Sequence, residues 1–256
     1  MGGSAWPAPG PCGWAPDLGP GVRAAFSCRD GGVSGGPYAT LNLGGGVGDE
    51  PRAVAENRRR FAAAFGFAPD AAAGARQVHG AEVVAVTAPG AAGAADGLCT
   101  DVPGVVLTIA VADCAAVFLA DGARGAVALC HAGWRGAAAG IAGAAVAALG
   151  RRFGCRPEDL HACISPCIGP CCYEVDAPVL AAFGPRACRF LPGRPGHARL
   201  DLPGSLALQL RQAGLRERRI AAAGLCTACE APWLYSHRRD HGRTGRMHAA
   251  LWLHAP

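Results

Sequence analysis

The feature that most constrains this chain is the stretch Gly104–His131, which is composed mainly of apolar residues. Val105–Ala112 is a continuous apolar run, and Ala115–Ala120 and Ala126–Cys130 follow it with almost no charge. Apolar runs of roughly four to eight residues, bounded by turn residues, are typical of buried strands. The stretch therefore predicts one buried strand followed by two more strands.

The last two of these strands predict a hairpin that brings two reactive side chains together. The loop between them, residues 121–124, suits a two-residue connection with glycine at its first central position. In that register Asp121 faces Arg124, and Cys114 falls opposite His131. Directly opposite residues share a face and have Cβ atoms about 4.5–5.5 Å apart. We therefore expect Cys114 and His131 to be neighbours in space.

Helix-like and strand-like segments alternate along the rest of the chain. The predicted helices are Pro51–Phe65, Gly136–Arg152 and Leu202–Ala213, and the predicted extended segments are Ala75–Thr87, Leu160–Val175, Leu225–Trp233 and Met247–Leu253. Residues 1–20 are rich in glycine and proline and predict a flexible tail. No internal repeat or linker divides the remainder, so we predict a single α/β domain over residues 21–256.

The charged residues exclude several classes of chemistry. All 24 basic residues are arginine, because the chain contains no lysine. Schiff-base catalysis, a pyridoxal-phosphate lysine and a Walker A phosphate loop are therefore excluded. The arginines are scattered among few aromatic residues and the net charge is only +5, which is a poor footprint for nucleic acid.

The 13 cysteines could be paired in disulfides in a secreted protein or reduced in a cytosolic one. The first 20 residues have neither the basic nor the apolar region of a secretion signal, and the longest apolar run is too short to span a bilayer. We therefore expect a cytoplasmic protein with reduced thiols and no membrane partner. The sequence does not determine the oligomeric state, and a monomer is expected.

Three short motifs carry the candidate chemistry. His131 ends a strand and is followed by glycines, and Cys114 follows Asp113 at the end of the strongest strand. Cys114 and His131 could act as nucleophile and base, or they could share a metal ion. His79 precedes a glycine and matters only as a third ligand, since catalytic zinc sites typically hold three protein ligands. A set of one cysteine and two histidines favours zinc.

Two further groups of residues admit alternative interpretations. Cys163, Cys167, Cys171 and Cys172, with Cys226 and Cys229 later, do not form two matched pairs, so buried thiols are favoured over a metal site. The arginine-rich segment 235–246 is either a solvated loop or a lid that binds anions.

Several motifs occur together in an order that resembles one known family. They are Phe26–Ser34, Leu41–Gly44, Gln77–Gly80, Ala112–Cys114, His131–Gly136, Ile168–Val175 and Arg238–Arg246. Together they resemble the YfiH-like, or laccase-domain, family, whose members are also called peptidoglycan editing factors. The resemblance covers the chain from about residue 21, so residues 21–256 are expected to form a laccase-domain catalytic unit.

This resemblance implies a four-layer sandwich of mixed β-sheets flanked by helices. It also implies a zinc site with His79, Cys114 and His131 as ligands, and substrate contacts from Asn42 and Arg58. The implied activity is that of a purine nucleoside phosphorylase, with purine nucleoside and phosphate as partners. The resemblance also implies adenosine deaminase and methylthioadenosine phosphorylase activities.

Three alternatives to this function remain open. Cys114 and His131 could be the catalytic pair of a hydrolase that removes a wrong amino acid from a peptidoglycan precursor. A polyphenol oxidase is disfavoured because the 8 histidines include no His-x-His pair, although copper could occupy a three-ligand site. A binding domain with a structural metal would need a fourth ligand, for which Asp113 and Cys130 are the candidates.

Overall fold

The computed structural model describes residue 10 and residues 12–183 and 188–254. In chain order its strands are β1 (Gly13–Trp14), β2 (Val22–Ser27), β3 (Ala72–Arg76), β4 (Val83–Ala85), β5 (Gly90–Ala94), β6 (Gly97–Thr100), β7 (Val106–Val111), β8 (Ala115–Asp121), β9 (Ala126–Ala132), β10 (His161–Ile164), β11 (Glu174–Val175), β12 (Phe190–Pro192), β13 (Ala198–Leu200), β14 (Ile220–Ala222) and β15 (Met247–Leu253). Its α-helices are α1 (Pro51–Phe65), α2 (Trp134–Ala139), α3 (Ile141–Phe153), α4 (Ala177–Phe183) and α5 (Leu202–Gln212).

Two mixed six-stranded sheets form the centre of the molecule. The first has the strand order β1-β2-β15-β7-β3-β5, and the second has the order β14-β10-β8-β9-β6-β4. Both contain parallel and antiparallel pairs, for example β3 with β7 and β8 with β9. A third, smaller sheet joins β11, β13 and β12.

Side-chain alternation along β8 explains why the sheets stack in layers. Val117 and Leu119 point toward a core formed with α3 and α5, whereas Phe118 points toward the first sheet. On the far side of the first sheet, Phe61 of α1 packs in a third core with Trp252. The order helix, sheet, sheet, helix confirms the predicted four-layer α/β sandwich.

The β8–β9 hairpin differs from the predicted one. Asp121 pairs with Ala126, so the loop has four residues rather than two. The carboxylate of Asp121 accepts the backbone N–H of Arg124 at 3.0 Å, and Gly125 adopts a left-handed φ of 64°. The predicted two-residue turn is wrong because this side-chain hydrogen bond and this glycine favour the longer loop.

The change in register also moves the predicted Cys114–His131 pair. His131 lies opposite Ala116, and Cys114 lies just before β8. A slip of two residues leaves each side chain on its original face, because the side-chain period of a strand is two. Cys114 and His131 therefore still point into the layer between the sheets, although they are not directly opposite.

Three other predicted elements are corrected. The helix expected over Gly136–Arg152 is two helices, α2 and α3, because Gly140 adopts a left-handed φ of 87° between them. Residues 225–233 form turns rather than a strand, apart from one bridge at Cys226. Ala75–Thr87 is extended only toward its two ends, with turn residues between β3 and β4.

The N-terminal prediction is also revised. Trp14 lies in β1 and is buried, as is Leu18, so the expected flexible tail is wrong for residues 12–20. Burial of these apolar side chains against the first sheet fixes that segment. The part of the prediction that covers residues 1–9 and 11 lies outside the described residues. No described helix combines the length and the apolar character needed to cross a membrane.

Candidate metal centre

Three predicted ligands meet at one end of the layer between the sheets. His79 lies in the turn after β3, Cys114 immediately precedes β8, and His131 lies in β9. One ligand atom from each side chain lies within 4.8 Å of the others, and the two imidazole centroids are 4.9 Å apart. Exposure decreases from His79, which faces solvent, through Cys114 to the buried His131.

The backbone at two of these positions adopts an uncommon conformation. His79 has φ 61° and Asp113, which precedes Cys114, has φ 83°. Left-handed backbone is rare for residues other than glycine and is concentrated at functional sites. Hydrogen bonds of the His79 backbone and of the Asp113 carboxylate hold both residues in place.

Asp96, a residue that sequence reasoning missed, connects the two histidines. Its Oδ1 lies 2.8 Å from Nδ1 of His131 and accepts the backbone N–H of His79 at 2.9 Å. Its Oδ2 accepts the backbone N–H groups of Val78 and Gly80 at 3.1 and 2.6 Å. An ionised carboxylate can only accept, so His131 carries a proton on Nδ1, and Nε2 is the nitrogen left to bind a metal ion.

Electrostatics in this group favour a thiolate. Burial raises the pKa of Cys114, but hydrogen bonds with His131 and His79 outweigh burial and bring that pKa down to about 7. Burial lowers the pKa of His131, but its bonds with Asp96 and Cys114 raise that pKa to about 9. The site therefore stabilises negative charge on the sulfur, which is the form of cysteine that attacks carbon and binds metals.

Neither candidate fourth ligand points at the centre. The carboxylate of Asp113 accepts the hydroxyl of Thr227 and the backbone N–H of Arg238, each at 2.6 Å. Cys130 lies on the opposite face of β9, in the core beneath the helices. Within residues 12–183 and 188–254, the group thus offers three protein ligands.

The three side chains open into a cavity of about 810 Å³. Four arginines contribute to its lining: Arg76, Arg135, Arg238 and Arg246. None of them forms an ion pair with an acidic side chain in the described part of the chain. Trp134, Tyr173 and His237 also line this cavity. The surroundings of the metal centre are therefore cationic and aromatic.

Of the two predicted substrate-binding residues, Asn42 lies behind the cavity wall, and Arg58 lines a neighbouring cavity of about 670 Å³. Asn42 is fully buried; its Oδ1 accepts the backbone N–H groups of Gly44 and Arg246, and its Nδ2 donates to Asp49. Arg58 donates from Nε to the carbonyl of Leu43 at 2.9 Å. Neither residue is part of the lining of the cavity at the metal centre. Both hold the glycine loop that does line it, and direct substrate contact by either stays a prediction.

The arginine-rich segment 235–246 serves two purposes. Arg239 is structural, since its guanidinium donates to the carbonyls of Thr227 and Leu234, each at 3.0 Å. Arg238 and Arg246 contribute to the cavity instead. The segment is thus an anchored part of the cavity wall rather than a solvated loop.

The later cysteines are not all buried thiols. Cys163 and Cys167 are buried as predicted, but Cys171, Cys172, Cys226 and Cys229 converge at the surface with their sulfur atoms within 4.8 Å of one another. The cysteine spacing did not indicate this four-cysteine group, because a zinc site is expected from two spaced pairs and Cys171 and Cys172 are adjacent.

The chain is similar in sequence and in structure to several known proteins over most of its length. It is 40% identical over 246 residues to the "Purine nucleoside phosphorylase YlmD" of Geobacillus stearothermophilus, covering 90% of each chain. It is 44% identical over 240 residues to the "Purine nucleoside phosphorylase" of Deinococcus radiodurans, covering 93% of this chain and 91% of that one. The crystal structure of Bacillus licheniformis hypothetical protein YfiH matches with a TM-score of 0.92 at 34% identity, covering 97% and 98%.

A family model described as "Multi-copper polyphenol oxidoreductase laccase" matches residues 23–254. This span includes every residue of the candidate metal centre and of its cavity. Because the match extends over nearly the whole chain and the relatives share its fold, the chain belongs to this laccase-like YfiH family.

Proposed function

We propose that this protein is a zinc-dependent enzyme that cleaves purine nucleosides with phosphate. The observation that carries the proposal is the position of the three-ligand centre in a cavity lined by four arginines, none of which is ion-paired in the part of the chain that the structure describes. Two relatives of similar length bear the name purine nucleoside phosphorylase, which supports the same reaction.

The donor set fits zinc. One sulfur and two imidazole nitrogens suit a borderline-soft divalent ion, and three protein ligands are the usual number in a catalytic zinc site. Asp96 supplies the partner that a metal-binding histidine normally has on its other nitrogen. A bound zinc ion would supply Lewis acidity toward an oxygen or nitrogen of the substrate. Copper is a weaker proposal, since the chain has no His-x-His pair.

The remaining cavity residues suit the two substrates. Arginine side chains bind phosphate through paired N–H groups, and none of the four cavity arginines is in an ion pair within the described residues. Trp134 and Tyr173 offer aromatic surface for a purine, with the guanidinium of Arg135 lying 4.1 Å from the Trp134 ring centroid. In the reaction, a phosphate oxygen bonds to the anomeric carbon while the bond from that carbon to the purine nitrogen breaks. The cavity arginines would hold phosphate for that attack.

Two further activities belong to the same proposal. Adenosine deamination and methylthioadenosine phosphorolysis would use the same purine and sugar contacts. The deamination needs water in place of phosphate, so it should proceed in phosphate-free buffer, whereas both phosphorolyses should not.

The direct test measures the release of hypoxanthine from inosine with and without phosphate. Wild-type protein should require phosphate, and Cys114→Ala should lose the activity together with its bound metal. Cys188→Ala serves as the control, because it changes a half-buried thiol that is not part of the candidate metal centre. Equal turnover by wild type and Cys114→Ala would refute the proposal.

One observation favours a second candidate, a thiol hydrolase. The pKa of Cys114 is about 7 because hydrogen bonds with His131 and His79 offset its burial, which is the state of an activated nucleophile. The substrate would then be a peptidoglycan precursor that carries a wrong amino acid. Metal-free protein that hydrolyses such a precursor and is inactivated by a thiol reagent would favour this candidate.

A further inference from the structure

A second group of metal-binding side chains lies outside the candidate centre. Cys171 and Cys172 lie in the loop between β10 and β11, and Cys226 and Cys229 lie in the turns after β14. The four sulfur atoms lie within 4.8 Å of one another. The sulfur of Cys229 is 3.6 Å from that of Cys171 and 3.5 Å from that of Cys172.

These separations suit a shared ion better than a disulfide. A disulfide requires sulfur atoms about 2.05 Å apart. Tetrahedral zinc with Zn–S bonds of about 2.3 Å places its sulfur ligands about 3.8 Å apart. The two measured separations are close to that tetrahedral edge and far from a covalent bond.

The surrounding backbone also supports thiolates at this place. The N–H of Gly169 points at the sulfur of Cys226 from 3.3 Å. A side chain on Gly169 would lie 3.3 Å from the sulfur of Cys171, so a glycine here lets the two loops approach.

We propose that Cys171, Cys172, Cys226 and Cys229 bind a structural zinc ion that is separate from the candidate catalytic centre. Four thiolates complete the tetrahedral coordination of zinc and leave no open position for a substrate, which is the hallmark of a structural site. A ligand set of sulfur alone also selects a soft metal over magnesium or calcium.

Such an ion would stabilise one wall of the cavity. Tyr173, which lines the cavity, follows Cys172 directly, and Thr227, which follows Cys226, donates to the carboxylate of Asp113 at 2.6 Å. Joining the two loops therefore fixes the residue that precedes Cys114. This role does not depend on which reaction the centre catalyses.

Metal content tests the proposal. Protein purified under reducing conditions should hold about two zinc ions per chain, as expected for one three-ligand and one four-ligand site. Cys229→Ser should lose one equivalent and keep the other, and Cys114→Ser should lose the other. Cys188→Ser should lose none. Equal zinc content in Cys229→Ser and wild type would overturn the proposal.

A measurement on wild-type protein keeps the test independent of any folding defect in the variants. Alkylation followed by mass spectrometry should show Cys171 and Cys229 protected, although both are exposed in the structure, until a chelator removes the metal. Rapid alkylation of both residues in zinc-loaded protein would overturn the proposal. So would a disulfide between the two loops in protein that was kept reduced throughout purification.

Discussion

The carboxylate of Asp96 lies 2.8 Å from Nδ1 of His131, and the same oxygen accepts the backbone N–H of His79. One buried side chain thus fixes the ring of one candidate ligand and the backbone of another. His79 lies between β3 and β4, whereas His131 lies in β9, so this carboxylate links two segments that are distant in the sequence.

Replacement of Asp96 by asparagine should weaken metal binding. The amide nitrogen cannot accept the N–H groups that Oδ2 now accepts, and a neutral amide does not favour the Nδ1-protonated form of His131 as strongly. Loss of such an outer partner typically lowers metal affinity by about 10- to 100-fold. Chelator competition measures the change, with the exposed Asp101→Asn as control. Unchanged affinity in Asp96→Asn would show that the contact is not needed.

A methyl group at Gly133 should disrupt the same centre. The new Cβ would lie 2.7 Å from the sulfur of Cys114 and 3.5 Å from Cδ2 of His79. We expect Gly133→Ala to lose the zinc ion of this centre, and the activity with it, while it remains folded. Gly143→Ala is the matched control, because its Cβ meets nothing within 4 Å and alanine favours a helix by roughly 0.5–1 kcal/mol. Similar zinc content in the two variants would contradict this prediction.

Arg135 provides a test of phosphate binding. It is exposed at the cavity and has no acidic partner within the described residues, so its charge is available to an anion. A charge-assisted hydrogen bond contributes about 1.5 kcal/mol, so Arg135→Gln should raise the KM for phosphate about tenfold. Arg243→Gln changes an exposed arginine outside the cavity lining and should leave that KM unchanged. An equal effect from both variants would mean that net charge alone matters.

Asn42 can be assigned a role by comparing stability with substrate affinity. Its amide makes hydrogen bonds with Asp49, Gly44 and the backbone of Arg246 in a fully buried position. Asn42→Ala leaves these groups unpaired, at a cost of about 1–3 kcal/mol for each polar group that remains buried. Urea unfolding should therefore show a clear loss of stability. A raised KM for the nucleoside with unchanged stability would instead support direct substrate contact.

His248 predicts part of the acid sensitivity of the fold. Burial, followed by the nearby charge of Arg58, lowers the pKa of His248 to about 3. The unfolded chain binds a proton at this residue near pH 6.5, so stability falls as the pH drops from about 6.5 toward 3. Urea unfolding at pH 7.5 and at pH 5 covers the upper part of this pH range. Between these two pH values, His248→Gln should lose less stability than the wild type. His254→Gln, at an exposed histidine, should behave like wild type.

Much of the fold was predictable because strands have a local signature. The apolar run that contains Val106–Val111 and the alternation of Val117 and Phe118 are properties of neighbouring residues, and the structure confirms the strands they predict. The turn at residues 122–125 was not predictable with the same rules, because a single hydrogen bond from the backbone N–H of Arg124 to the carboxylate of Asp121 favours the longer loop.

The sequence by itself indicated the central strands, the single α/β domain and the proximity of Cys114 and His131, since strand pattern and short spacing are local properties. His79 came only from the resemblance to the family. Only the tertiary structure decided that Asp96 joins the two histidines, and that the arginines lining the cavity at the metal centre are four others than Arg58, none of them ion-paired within the described residues. It also brought together cysteines 57 residues apart in the chain, Cys172 and Cys229. Contacts of this kind depend on the paths of loops between distant strands, and those paths are set by packing of the whole sandwich rather than by any local pattern.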